Sequence, residues 1–283
     1  MTPARARSAI TAMWAWDNSV DPADDPQGTG YAPAAPDRLA AYAVAGELTE
    51  VFLAAPWPAQ AGPVEAWFGQ ACGALRDAGI EASAVGDAIA WVHDPVLVGP
   101  WLTSARAVAR FDRVHLDVAP WAEPDWPDDK TTAMRAFVAL LDATRTAAGP
   151  LPVDVTAPWW LADEPFADGA GEATGSTMLD AVLARADRVA ILAFADHARG
   201  PGGILALADH AVRAAVGAGR PFTIGVQTGT PASAGGVQYT FFDEGPVALL
   251  REAAVVRDAL SGEPGYRGVA VEHHRAWRGL LGV

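Results

Sequence analysis

His115 and Asp117 stand two apart in the run Asp112-Arg113-Val114-His115-Leu116-Asp117-Val118, whose composition suits a strand, so both side chains face the same way. A carboxylate presented like this can give or take a proton, and acid–base chemistry at a sugar linkage needs a second one across a cleft. Glu272 ends a similar run, Gly268-Val269-Ala270-Val271-Glu272, and Asp196 follows another, Arg188 to Ala193. Asp117, Glu272 and Asp196 are therefore the candidate catalytic residues. Aromatic and polar residues stand at equivalent places: Trp14, Trp16 and Asp17, Trp57, Asp87, Trp121, Trp159, Phe194, Gln227 and His274. Indole faces stack on the C–H faces of sugar rings while acids and amides bind hydroxyls, and the same set can cage an ammonium group. These residues, with His115, are read as the ligand-binding set for a small neutral or cationic sugar-like molecule.

Other chemistries find less support. His115, Asp117 and one of the neighbours His273 and His274 could ligate a metal, but no His-x-His or His-Glu-x-x-His spacing accompanies them, and a satisfied core histidine is the favoured reading. On a strand the two neighbouring histidines face opposite ways. No metal and no cofactor is expected. A Gly-x-Ser-x-Gly nucleophile motif is missing, and Cys72 falls in a helical pattern away from the acids. The stretch Gly225 to Gly236 is glycine-rich, yet its acidic surroundings argue for a flexible loop over a phosphate cradle.

The elements that must position these groups alternate in type. Short β-rich runs cover Ser8–Trp16, Glu50–Ala55, Glu81–Gly86, Asp112–Val118, Pro152–Ala157, Arg188–Ala193, Pro221–Gln227 and Gly268–His273. Helical patterns fall between them, clearest at Pro36–Gly46, Val64–Ala78, Lys130–Ala148, Gly203–Gly219 and Gly245–Leu260, with Gly46, Gly79, Gly149 and Gly219 placed where a positive φ ends a helix. Alternation of this kind gives parallel strands joined by right-handed crossovers, and eight units favour closure into a single (β/α)8 barrel of the α/β class. No Gly-x-Gly-x-x-Gly follows the first strand, which argues against a dinucleotide fold. The long Asp/Gly/Pro-rich stretches after the first, fourth and fifth strands read as loops at the barrel mouth, so residues 1–283 are taken as one domain. Every candidate acid or aromatic then lies at a C-terminal strand end, where barrel enzymes place their chemistry.

Composition narrows the partners. A net charge of -14 opposes nucleic acid and anionic membranes. No apolar run reaches the roughly 18 residues of a membrane helix, and the N-terminal residues lack the pattern of a secretory signal, so a cytoplasmic location is expected.

The segment Phe111-Asp112-Arg113-Val114-His115-Leu116-Asp117-Val118-Ala119-Pro120-Trp121 resembles the signature of family 18 glycoside hydrolases, which are also (β/α)8 barrels. The segments Ile224–Thr228, Thr240–Phe242 and Gly268–His274 resemble the last strands of a group of bacterial barrel proteins. The resemblance implies a glycoside hydrolase-like protein in which Asp112 and Asp117 occupy acidic positions of the signature. It also implies that Ala119 stands where the family carries the glutamate that protonates the leaving oxygen, Phe194 where a tyrosine holds the substrate amide, and His115 where an acid is usual. Three readings stay open: a glycoside hydrolase with a different carboxylate arrangement, a carbohydrate-binding pseudoenzyme, and a lyase, isomerase or cyclase using Asp/His pairs.

Overall fold

The computed structural model describes residues 8–15, 35–55, 63–166 and 175–282. Eight parallel strands close into a barrel in sequence order: β1 (Ile10–Ala15), β2 (Glu50–Ala54), β3 (Glu81–Gly86), β4 (Arg113–Leu116), β5 (Val153–Pro158), β6 (Arg188–Leu192), β7 (Phe222–Gln227) and β8 (Tyr266–Glu272). The helices are α1 (Pro36–Ala45), α2 (Pro63–Asp77), α3 (Ala90–His93), α4 (Val98–Val108), α5 (Lys130–Ala148), α6 (Met178–Leu183), α7 (Ile204–Gly217), α8 (Pro231–Ala234), α9 (Gly245–Leu260) and α10 (His274–Leu281). The closed barrel, its strand order and its interleaved helices are those read from the sequence.

Strand periodicity sorts the side chains into two cores. Val51, Leu53, Val114, Leu116, Val153, Val155, Ile191, Ile224, Val226, Val269 and Val271 point outward into the main apolar layer beneath the helices. The alternate positions point inward, where Ala12, Trp14, Phe52, Ala54, Val85, Ala190 and Ala270 form a second, smaller cluster. Trp14 is fully buried there. Its indole has room because β7 carries glycine opposite: a Cβ on Gly225 would come within 2.8 Å of Leu192 and 3.4 Å of Trp14.

Helix ends follow their capping chemistry. Asp129 accepts the Thr132 N–H at 3.0 Å at the start of α5, and Thr177 and Asp180 form a capping box at the start of α6. Gly79, Gly149 and Gly219 take positive φ as their positions require. Gly46 does not: its φ is -77°, and Glu47 takes the left-handed position at 56° instead, so the turn after α1 closes one residue later than the glycine suggests. The segment after β7 is ordered, with Thr230 capping α8 and the Phe241 N–H returning to the Gln227 carbonyl at 3.0 Å. Among the described residues no helix is long and apolar enough to cross a membrane.

Candidate active site at the C-terminal end of the barrel

Three inward-facing carboxylates meet where the strands end. Asp117 follows β4, Asp87 follows β3, and Glu272 is the last residue of β8. The barrel ladder runs on past β4, since the Asp117 N–H donates to the Gly86 carbonyl at 2.9 Å. Closure of β8 beside β1 brings residue 272 round to face residue 117. Burial raises the pKa of Asp117 well above the usual carboxylate range, and the charges of Glu272 and Asp87 raise it further, while Thr156 and Trp14 pull it down. Trp14 faces this carboxyl without approaching to hydrogen-bond distance, since its Nε1 has no partner that close. Burial also lifts Glu272 to about 7, against the opposing pull of Gln227. Burial raises the pKa of Asp87 as well, although its side chain reaches solvent at the lip of the mouth.

Gln227 is oriented by backbone. Its Oε1 accepts the Thr228 and Gly229 N–H groups, each at 2.8 Å, which leaves Nε2 to donate toward Glu272. The Glu272 carbonyl in turn accepts the Thr228 N–H and hydroxyl, both at 2.8 Å, tying the ends of β7 and β8 together. None of the largest contributions to the shifts of Asp87, Asp117 and Glu272 comes from a cation, and among the described residues no ion pair joins these three to a Lys, Arg or His. The segments 16–34, 56–62 and 167–174, which follow β1, β2 and just beyond β5, contain no Lys, Arg or His. Acids held together in this way titrate as a unit and not one by one.

The other candidate residues lie as follows. Asp196 is not brought into this group: its carboxylate binds Nδ1 of His197, whose pKa it raises. His115 is buried inside the barrel, 2.8 Å from the Thr156 hydroxyl and 4.4 Å, ring to ring, from Phe52. Trp121 packs edge-on to Phe137 and Trp160, and Trp159 packs partly buried against the main core. Phe194 is half-buried just after β6. The chain turns after Glu272, so His274 opens α10 and stacks edge-on against Tyr42 beneath that helix, away from the carboxylates. Trp16, Asp17 and Trp57 fall outside the described residues. Among the described residues no three metal-ligating side chains gather closely enough to hold an ion.

Two contributors were not read from the sequence. Thr156 lies on β5 at the position that continues the pairing His115 with Asp154 and Leu116 with Val155, hence beside Asp117. Its signal was available, because Asp154 and Thr156 share the inward parity of the strand. The second is the set of polar residues at the opposite end of the barrel. There Arg188 bonds Glu50 at 3.0 Å and Glu81 at 2.9 Å, Arg113 forks onto Asp154, and Ser83 donates to Glu50 at 2.7 Å. All sit at inward positions near strand starts.

Among solved structures, the chain superposes on a protein assigned as an alpha-L-fucosidase from Bacteroides thetaiotaomicron with a TM-score of 0.57 and 12% identity, over 96% of this chain and 88% of that one. It superposes on the spore cortex-lytic enzyme SleL of Bacillus cereus with a TM-score of 0.51 and 10% identity, over 97% of this chain and 74% of that one. At such identities the likeness shows a shared fold. No family model and no curated protein matches the sequence.

Proposed function

We propose that this barrel is a carbohydrate-active protein of glycoside hydrolase type, with Asp117 as proton donor and Glu272 as its ionised partner. The observation that carries the reading is the convergence of Asp87, Asp117 and Glu272 at the C-terminal mouth with no cation among the described residues to neutralise them. Glycoside cleavage asks for such a site: one carboxyl protonated to meet the leaving oxygen, a second ionised to act on the anomeric carbon or on a water. Asp117 is the better proton holder, because it feels both neighbouring charges as well as burial. Glu272, receiving the Gln227 amide, is the better base. Asp87, open at the lip, is suited to binding a hydroxyl or an amine. The shared fold with a spore cortex-lytic enzyme and with a protein assigned as an alpha-L-fucosidase supports the scaffold for this chemistry and leaves the substrate to be found.

The test is a panel of nitrophenyl glycosides and amino-sugar oligomers incubated with the native protein and with Asp117→Asn. Turnover by the native chain that the variant loses supports the reading. Binding without turnover, together with activity gained on Ala119→Glu, would make the protein a sugar-binding relative that lacks its acid, a reading favoured by the bare methyl group of Ala119 two residues beyond Asp117. Neither binding nor turnover on any sugar sinks the proposal.

A further inference from the structure

Below Asp117 a column of polar groups runs down the barrel axis, and its upper part has no role in the chemistry above. His115 is 1% exposed, and its Nε2 lies 2.8 Å from Thr156 Oγ1. Its ring is fixed by Phe52 at 4.4 Å and by the edge of Trp14 at 6.1 Å. Among the described residues Nδ1 has no hydrogen-bond partner. His115 also lines a cavity of about 10 Å³ shared with Glu50, Asp154, Arg188 and Thr223, room for about one water.

Burial, with Arg188 and Arg113 nearby, holds the imidazole pKa down to about 3, so the ring is neutral and carries one proton. Two tautomers are possible, and they do different things to Thr156. A hydroxyl has a single proton. With the proton on Nε2, His115 donates to Thr156 Oγ1, the threonine proton is free to reach its in-register neighbour Asp117, and the Nδ1 lone pair is left without a protein donor. With the proton on Nδ1, the threonine proton is used on Nε2, none is left for Asp117, and a buried N–H is left without an acceptor among the described residues. Nδ1 is unpaired in either form, but the first arrangement leaves no donor unused.

We propose that His115 is a positioning residue for Asp117: as the Nε2–H tautomer it holds the Thr156 hydroxyl so that its proton points at the Asp117 carboxyl and fixes which oxygen of that carboxyl faces the mouth. The inference rests on the reading of Asp117 as the proton donor but is tested without turnover. Nitrogen–proton correlation spectra, with His115 assigned by its loss in His115→Gln, are expected to show Nε2 protonated throughout pH 5–8; a proton on Nδ1 overturns the proposal. The Asp117 carboxyl is then titrated by carbon NMR. Thr156→Val and His115→Leu should each raise its midpoint by about one unit, the double variant by no more than either alone, and His115→Gln, whose amide nitrogen reaches the Nε2 position, should restore it. A midpoint unmoved in Thr156→Val, or moved as far in His115→Gln as in His115→Leu, overturns it. Should His115→Leu fail to fold, the native tautomer and the Thr156→Val titration decide the matter. An inactive protein whose Asp117 still titrates this way would sink the hydrolase reading and leave the positioning role standing.

Discussion

The two ends of the barrel hold the same acids in opposite company. At the N-terminal end Glu50, Glu81 and Asp154 are matched by Arg113, Arg188 and Arg267. At the C-terminal end Asp87, Asp117 and Glu272 have no such partners among the described residues. Burial pushes the carboxyls of Glu50 and Asp154 up, but the guanidiniums beside them pull back. At the mouth the neighbours of Asp117 push the same way as burial. Like-charged acids held together cost stability, and folds retain them where they act on something. The paired acids lock the floor of the barrel, and the acids at the mouth are the ones we propose as its working surface.

Removing a charge from each end should therefore have opposite consequences. The largest expected effect is at the floor. Arg188→Ala leaves Glu50 and Asp154 buried with less compensation, costing about 3–5 kcal/mol and lowering the melting temperature on the order of 10 °C; thermal denaturation showing no change would erase the contrast. Asp117→Asn, at the mouth, should leave the melting temperature unchanged or higher while reducing turnover of any substrate found by about 10²–10⁴-fold. A loss of stability there would place Asp117 with the structural acids.

Gly225→Ala tests the packing between the two ends, since its methyl meets Leu192 and Trp14; the cost should be about 1–3 kcal/mol in chemical denaturation. The smallest effect concerns pH. The folded pKa of Glu272, about 7, lies above its unfolded value, so its contribution is fully present below the unfolded pKa and is lost as pH rises through 7. Glu272→Gln should thus gain a few degrees, about 2–5 °C, in melting temperature at pH 8 and almost none at pH 4. An equal gain at both values would show that Glu272 is not the group that titrates.

Much of this contrast can be traced to local sequence, and the part that cannot has a definite cause. The inward placement of Asp117 and Glu272 at strand ends could be read because a strand's period of two and its C-terminal end are local properties, set by a few residues. The same period places Arg113 and His115 on the inward side with Asp117, so the floor was half visible. What was hidden is that Arg188 meets Glu50, a partner 138 residues away. The direction of the aromatic residues was hidden in a related way. Position alone sends Trp14, Trp121 and His274 to strand ends, but neighbours decide their direction: Gly225 opens the barrel interior to Trp14, Phe137 and Trp160 take the edges of Trp121, and Tyr42 takes the ring of His274.

The sequence by itself determined the eight-fold alternation, the closed barrel, and the inward acids at the ends of β4 and β8, because hydrophobic periodicity and glycine or proline stops act over short stretches of chain. Only the tertiary structure decided which acids stand beside a cation and which, among the described residues, stand beside other acids. That depends on closure, which sets β1 against β8 and carries Glu272 to the side of Asp117. Charge interactions fall off with distance through space, and no pattern along the chain records that distance.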